Sequence, residues 1–172
     1  MRSILIAEEQ ITTFSMPWKL DSTCFNFNLP KELVLPENIA DIEDKNDIGT
    51  LVVACELPDH SFISELKKLR QLYIYTGGSV SDLSFIEGLV ELRQLCLYDT
   101  HIESLDPLIR LAEEKSRLHK ETEDVWQRIS LTFEGVCITS DKLDYDPNDL
   151  RNDDTLYATD IIINKKRANR RF

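Results

Sequence analysis

Aliphatic residues recur through the middle of the chain in two copies of one pattern. The copies are Leu69-Arg70-Gln71-Leu72-Tyr73-Ile74-Tyr75 and, 23 residues later, Leu92-Arg93-Gln94-Leu95-Cys96-Leu97-Tyr98. Beyond the pair Gly77-Gly78 the shift becomes 22, and the matched aliphatic positions are then Val80 with Ile102, Leu83 with Leu105, Ile86 with Leu108, and Leu89 with Leu111. So long a run of matched positions indicates a repeat architecture.

Two spacings alternate within each copy, and each predicts a different element. The alternation in Leu72-x-Ile74 and Leu95-x-Leu97 predicts a short strand with one buried face. The steps of three that follow predict a tight return segment of helical or 3-10 type, which buries one side chain per turn. Because one such unit cannot cover its own apolar face, we expect the units to stack and their strands to form a parallel ladder.

The second copy, continued through residues 92–111, resembles the leucine-rich repeat family, and most closely its bacterial internalin-like type of 22 residues. The match includes Pro107-Leu108 at the entry to the return segment. Thr100 stands where that family often has Asn, and in the first copy Gly77 takes this place and Gly78 adds a residue, so a wider turn is expected there. The resemblance implies a fold of the α/β class: a short leucine-rich repeat solenoid whose strands form a concave face.

Fainter copies extend the pattern in both directions. Upstream, Ile48, Leu51 and Val53 have the same spacing and are counted as a third unit. Downstream, Trp126-x-x-Ile129-x-Leu131 fits it again and is either a last repeat or unrelated to the others. One globular domain is therefore expected, divided into an N-terminal cap (1–47), repeats (48–112), a C-terminal helix and strand cap (113–164) and a basic tail (165–172).

The flanking segments carry patterns of their own. Residues 3–7 and 24–29 read as strands, either covering the open end of the solenoid or forming a small accessory sheet. Residues 113–129 show the periodicity of an amphipathic helix. Residues 131–139 and 155–164 again read as strands, the last one closing the C-terminal end.

Length, charge and cysteine usage narrow the class of protein. A chain of 172 residues has room for one sizeable core. The net charge of -11 argues against general affinity for nucleic acid, and no stretch reaches the 18 or so apolar residues of a membrane span. The apolar run near the N-terminus is too short for a secretory signal, so a cytoplasmic location is expected. The four cysteines are scattered, which favours reduced thiols over a metal site.

Catalytic motifs are not evident. The glycine pair lacks the spacing of a phosphate-binding loop. His60, His101 and His119 lie in polar contexts, where exposure to solvent is the ordinary explanation. Cys96 draws attention as a thiol on the outward side of a strand, although no base is expected beside it. We therefore predict a protein that is not an enzyme and needs no cofactor.

The strand positions that point away from the aliphatic rows form the candidate binding face. Stacking should place Arg70 beside Arg93 and Tyr75 beside Tyr98. Tyr and Arg are enriched among interface anchors because they combine contact area with a polar group. Alternatively, the tyrosines simply pack on their cross-strand neighbours, or the flanks cover them. The candidate partner-binding residues are Arg70, Gln71, Tyr73, Tyr75, Arg93, Gln94, Cys96 and Tyr98.

The function expected from this reading is non-catalytic recognition of another protein through the strand face. The acidic charge suits a basic partner, and an immunity or inhibitor protein is a special case. In the alternative, the repeat is only a scaffold, and residues 165–172, five of them basic, contact RNA or an anionic membrane.

Overall fold

The described strands of the chain form one parallel sheet. The computed structural model describes residues 1–8, 30, 32–75, 78–116, 129, 132–142 and 160–163. Within these residues lie seven strands: β1 (Arg2–Ile6), β2 (Glu32–Val34), β3 (Ile48–Val53), β4 (Gln71–Ile74), β5 (Gln94–Thr100), β6 (Gly135–Ser140) and β7 (Asp160–Ile163). Their order across the sheet is β2-β1-β3-β4-β5-β6-β7, and every neighbouring pair is parallel. The expected α/β class with a parallel strand ladder is confirmed at this level.

Helical segments in the described part of the chain are short. The α-helix α1 spans Asp106–Lys115, and 3-10 turns span Pro36–Asp41, Lys45–Asp47, Ser61–Glu65 and Ser84–Ile86. Pro107, in the first turn of α1, has a fixed φ that suits a helix start. α1 begins where the return segment after the second copy was predicted, and its last residues, 113–115, overlap the helix predicted at 113–129. Residues 117–128 lie outside the described residues.

Strands β3, β4 and β5 each lead into a return segment, giving three consecutive units. The returns are Ser61–Glu65, Ser84–Ile86 and α1, as the steps of three predicted. All three begin with the same turn, in which a side-chain oxygen accepts a bond from the backbone N–H two residues later: Asp59 from Ser61 (2.9 Å), Asp82 from Ser84 (2.7 Å) and Ser104 from Asp106 (3.1 Å). The units therefore repeat in side-chain contacts as well as in backbone course.

The register between units matches the sequence repeat. Leu72 pairs with Leu95, Tyr73 with Cys96 and Gln71 with Gln94. The aliphatic residues of the two copies are all fully buried, including the four alternating residues predicted to share a buried face: Leu69, Leu72, Ile74, Leu92, Leu95 and Leu97. They belong to one aliphatic core that also includes residues of β1, β3, β6 and α1. The predicted pairing of strand positions 23 residues apart is thus confirmed for β4 and β5.

Strand β6 overlaps the strand predicted at 131–139 and continues the ladder, but not in the register of the faint downstream copy. The faint downstream copy put Ile129 and Leu131 at the strand positions. Instead, Val136 and Ile138 pair with Leu95 and Leu97. The backbone N–H of Phe133 donates to the carbonyl of Ile129 (3.0 Å), so the chain turns helically there and forms its strand only afterwards.

The flanks extend the same sheet. β1 pairs with β3 on one side and with β2 on the other, so the two described strands of the N-terminal segment belong to the main sheet rather than to a separate accessory sheet. β7 lies within the predicted strand at 155–164 and pairs with β6. Residues 24–29, Gly77 and the basic tail at 165–172 lie outside the described residues. No helix in the described ranges is long and apolar enough to cross a membrane.

Candidate functional site

The tyrosine face of the sheet is buried. Tyr73, Tyr75, Cys96 and Tyr98 retain 0%, 5%, 1% and 5% of their accessible surface. They point away from the aliphatic core, as predicted, and form a second apolar cluster with residues of β1, β3 and β6. These four side chains are core residues in this structure, which favours the alternatives in which the protein's own residues bury them.

Ring stacking orders this second cluster. The ring centroids of Tyr73 and Tyr75 lie 6.4 Å apart with planes 12° from parallel, and those of Tyr75 and Tyr98 lie 5.6 Å apart at 7°. Burial is the main cause that raises the pKa of all three phenols above the ordinary value of 10. The hydroxyls therefore stay protonated wherever the protein is folded at ordinary pH.

The four polar residues of the predicted set remain at the surface, and we call them the ledge. They are Arg70, Gln71, Arg93 and Gln94, at the start of β4 and β5. The side chains of Arg70 and Arg93 are 43% and 57% exposed, and both glutamines are half-buried. The backbone N–H of Arg93 donates to the carbonyl of Arg70 (2.8 Å), so the two arginines hold equivalent places in consecutive units, as predicted.

A chain of side-chain hydrogen bonds fixes the glutamines. Thr50 donates to Oε1 of Gln71 (2.9 Å), and Nε2 of Gln71 donates to Oε1 of Gln94 (2.9 Å). The hydroxyl of Tyr73 donates to the same oxygen of Gln94 (2.6 Å). The amide nitrogen of Gln94, Nε2, donates in turn to a carboxylate oxygen of Glu134 (3.4 Å). The row runs in one direction across the sheet, so each amide has a defined orientation.

The arginines of the ledge are held only loosely. Nε of Arg70 lies 3.4 Å from a carboxylate oxygen of Glu91, and a guanidinium nitrogen of Arg93 lies 3.4 Å from Glu134. Exposed pairs of this kind contribute only about 0–1 kcal/mol. A partner could therefore take over either guanidinium at small cost. The ledge thus offers mixed charge: two cationic groups beside two carboxylates.

One histidine lies in an environment that the sequence did not predict. His60, expected to face solvent, is buried with 6% exposure, whereas His101 is exposed and pairs with Asp141 (2.6 Å). His119 lies outside the described residues. The available signal was the repeat itself, since His60 falls at the place of Leu83 in the next unit, a core position.

Metal and thiol chemistry has little support in this part of the chain. Among the described residues no group of three or more His, Cys, Asp or Glu side chains could hold a metal ion. Cys96 and Cys137 are paired in register on β5 and β6, and both are buried. Burial also raises the pKa of Cys55 to about 11, which keeps it as a thiol.

Comparison with known proteins gave no match among family models, curated proteins or solved structures.

Proposed function

We propose that this chain is a non-catalytic protein-recognition module of about three leucine-rich-repeat-like units, which binds its partner through the ledge. The observation that carries the proposal is that Arg70 and Arg93 occupy equivalent positions in consecutive units and stay exposed, while the aromatic residues beside them are buried. Equally spaced, oriented polar groups on a rigid sheet are what recognition of another chain requires.

The repeat supports the family part of the proposal. Thr50, Gln71 and Gln94 are register partners on three successive strands, at steps of 21 and 23 residues. Each strand leads to a return that opens with the same side-chain-capped turn. Units of this length, in which each strand pairs with the next and each return covers the same core, match what the resemblance of residues 92–111 implies.

The chemistry of the ledge favours a protein as the partner. A guanidinium offers a planar fork of donors that suits carboxylates and backbone carbonyls. The glutamine amides beside it are pre-ordered by their bonds to Thr50 and Tyr73, which reduces the entropy lost on binding. Two units provide a small surface, so we expect a single modest interface.

The overall charge adds a long-range preference to this local one. A net charge of -11 attracts basic proteins at a distance, whereas the mixed charge of the ledge selects the contact. An immunity or inhibitor protein that neutralises a basic target is a special case of the proposal.

The test is a pull-down with a charge-matched control. Arg70→Ala/Arg93→Ala removes both guanidiniums of the ledge, and Lys67→Ala/Lys68→Ala removes two exposed cations from the return that precedes β4. A partner recovered by wild type and by the lysine variant, but lost by the arginine variant, is the expected result. Equal recovery by both variants would contradict the ledge. A third variant, truncated to remove residues 165–172, tests the alternative. In that case, binding of RNA or anionic lipid should be lost together with the tail.

A further inference from the structure

A second surface follows the C-terminal ends of β3 and β4, whereas the ledge lies at the start of β4 and β5. It is a polar cleft of about 300 Å³, formed where the first two return segments begin. Two carboxylates, five serines, His60 and Phe85 contribute to its lining. We refer to it as the cleft.

His60 departs from the repeat at this place. His60, Leu83 and Leu105 each precede the first residue of a return, with φ/ψ of -114°/5°, -108°/13° and -92°/5°. The three side chains therefore start from nearly the same backbone. Leu83 and Leu105 belong to the aliphatic core. An imidazole stands where the chain's own pattern calls for leucine.

The imidazole is poorly satisfied where it lies. Its ring packs on Phe85 with centroids 5.8 Å apart, and within the described residues its Nε2 has no hydrogen-bond partner. Burying a polar nitrogen without a partner lowers stability, and leucine would carry no such penalty. The chain thus keeps a costly side chain at the wall of a polar cleft, which points to a role in binding.

The cleft carries negative charge that its lining leaves unbalanced. Hydrogen bonds from Ser61 and Ser84 are the main cause that lowers the pKa of Asp59 and of Asp82, so both carboxylates are ionised. None of the described residues that line the cleft is a lysine or an arginine. The described His, Cys, Asp and Glu side chains form no group that could hold a metal ion. An organic cation fits this arrangement better.

We propose that the cleft binds an arginine side chain presented by a protein partner. A guanidinium can contact two carboxylates and several hydroxyls at once, because its five donors point outward in one plane. A guanidinium also packs against aromatic rings more readily than the compact ammonium of lysine does, and His60 and Phe85 belong to the wall of the cleft. The volume of the cleft accommodates one such side chain. This inference does not depend on the ledge, and variants of one surface leave the other intact.

The first experiment compares two small probes with the full-length chain. Amide signals are followed by NMR while Nα-acetyl-arginine amide or its neutral isostere Nα-acetyl-citrulline amide is added. We expect saturable shifts at residues 59–61 and 82–84 with the arginine probe. The affinity for the citrulline probe should be lower by about tenfold or more, since charged hydrogen bonds are lost. Equal binding of the two probes, or no saturable shift at these residues, overturns the proposal.

Matched variants then assign the site. Asp82→Asn keeps an oxygen to accept the bond from Ser84 but removes the charge, and Asp106→Asn removes the same charge at the third return, outside the cleft. We expect about tenfold weaker binding of the arginine probe in the first variant and no change in the second. His60→Leu, which restores the pattern of the other units, should also weaken binding while the protein stays folded. Full binding in Asp82→Asn and His60→Leu, or equal loss in Asp106→Asn, would refute the assignment.

Discussion

The hydroxyl of Tyr73 donates a hydrogen bond of 2.6 Å to Oε1 of Gln94 on the neighbouring strand. Tyr73 is fully buried, and Gln94 belongs to the half-exposed ledge. This bond therefore joins the buried aromatic row to the surface that we assign to recognition. The orientation of the ledge amides therefore depends in part on a side chain that is buried away from the binding surface.

A double-mutant cycle should detect this link. Tyr73→Phe removes the donor and Gln94→Ala removes the acceptor, and each change should lower the free energy of unfolding by about 1 kcal/mol. Because both lose the same bond, the double variant should be less destabilised than the sum, with a coupling of about 1 kcal/mol. Urea unfolding measures all four proteins. Strict additivity would show that the bond contributes nothing.

Truncating Tyr73 further tests the burial of the aromatic row. Tyr73→Ala would leave a cavity in the second cluster and should cost about 3–5 kcal/mol, far more than Tyr73→Phe. A loss below about 1 kcal/mol would indicate that the ring is exposed in solution. Loss of binding in Tyr73→Ala would therefore not identify a contact residue unless folding was checked.

Replacing His60 by leucine should stabilise the protein. His60→Leu removes a buried nitrogen that has no described partner, and we expect a gain of about 1–3 kcal/mol in the free energy of unfolding. The reverse change in the next unit, Leu83→His, should destabilise by a similar amount. A His60→Leu variant that is less stable than wild type would contradict this prediction, because it would show that the imidazole makes a stabilising contact in the folded protein.

The stabilisation caused by His60→Leu should be larger at acidic pH. Burial is the main cause that lowers the pKa of His60 below its ordinary 6.5. As pH falls through 6.5, the unfolded chain takes up a proton before the folded chain does, so wild type loses stability and His60→Leu does not. The difference between the two proteins should therefore be larger at pH 5 than at pH 8. A difference independent of pH would contradict the burial of an uncharged imidazole.

Because of Lys115, the free energy of unfolding should increase with pH in mildly alkaline solution. Its amine donates to the carbonyl of Leu92 and lies 3.9 Å from the centre of the Phe133 ring. Burial, with a smaller contribution from Arg93, lowers its pKa from 10.5 to about 8. Between these values the unfolded chain holds a proton that the folded chain has lost, so stability should increase with pH in this window. Below about pH 8 both states are protonated and the dependence should vanish.

The variant Lys115→Met isolates this effect. Other titrating groups are common to both proteins, so only the difference in slope between about pH 8 and 10 is compared. Thermal or urea unfolding in a pH series should give the steeper rise for wild type. Parallel slopes would mean that the amine is solvated in the folded protein.

Cys55 should resist thiol reagents in the folded protein. It is buried, its Sγ lies 3.7 Å from the carbonyl of Ile6, and burial with a smaller effect of Glu8 raises its pKa to about 11. Since the thiolate is the reactive form, alkylation at pH 8 should be slow until the chain unfolds. Mass spectrometry resolves this residue from the other cysteines. Alkylation as fast in native as in unfolded protein would contradict the buried position.

The strand ladder could be predicted because it rests on local spacing. The alternation in Leu72-x-Ile74 and Leu95-x-Leu97 fixes which side chains share a face, and the equal step between copies fixes their pairing. Steps of three suit both 3-10 turns and an α-helix, so Leu105 did not reveal that α1 begins at Asp106.

The candidate site was harder to predict because burial of the outer face depends on distant parts of the chain. Tyr73 and Tyr98 are equally suited to a core and to an interface, since they are large and have one polar group. Their spacing does not tell which environment they meet. The burial of His60 could have been found, because it matches Leu83 in the repeat, but polar neighbours concealed the match.

Hydroxyl-radical oxidation read by mass spectrometry most directly tests the central claim, that the tyrosine face lies inside the protein while the ledge is open. Tyr73, Tyr75 and Tyr98 should be oxidised only after unfolding, whereas Met1, which is 60% exposed, should be oxidised in the native state and serves as the internal control. Oxidation of the three tyrosines in the native protein at the rate of the unfolded chain would contradict the account. In that case the exposed tyrosines, rather than the ledge alone, would be the candidate recognition surface.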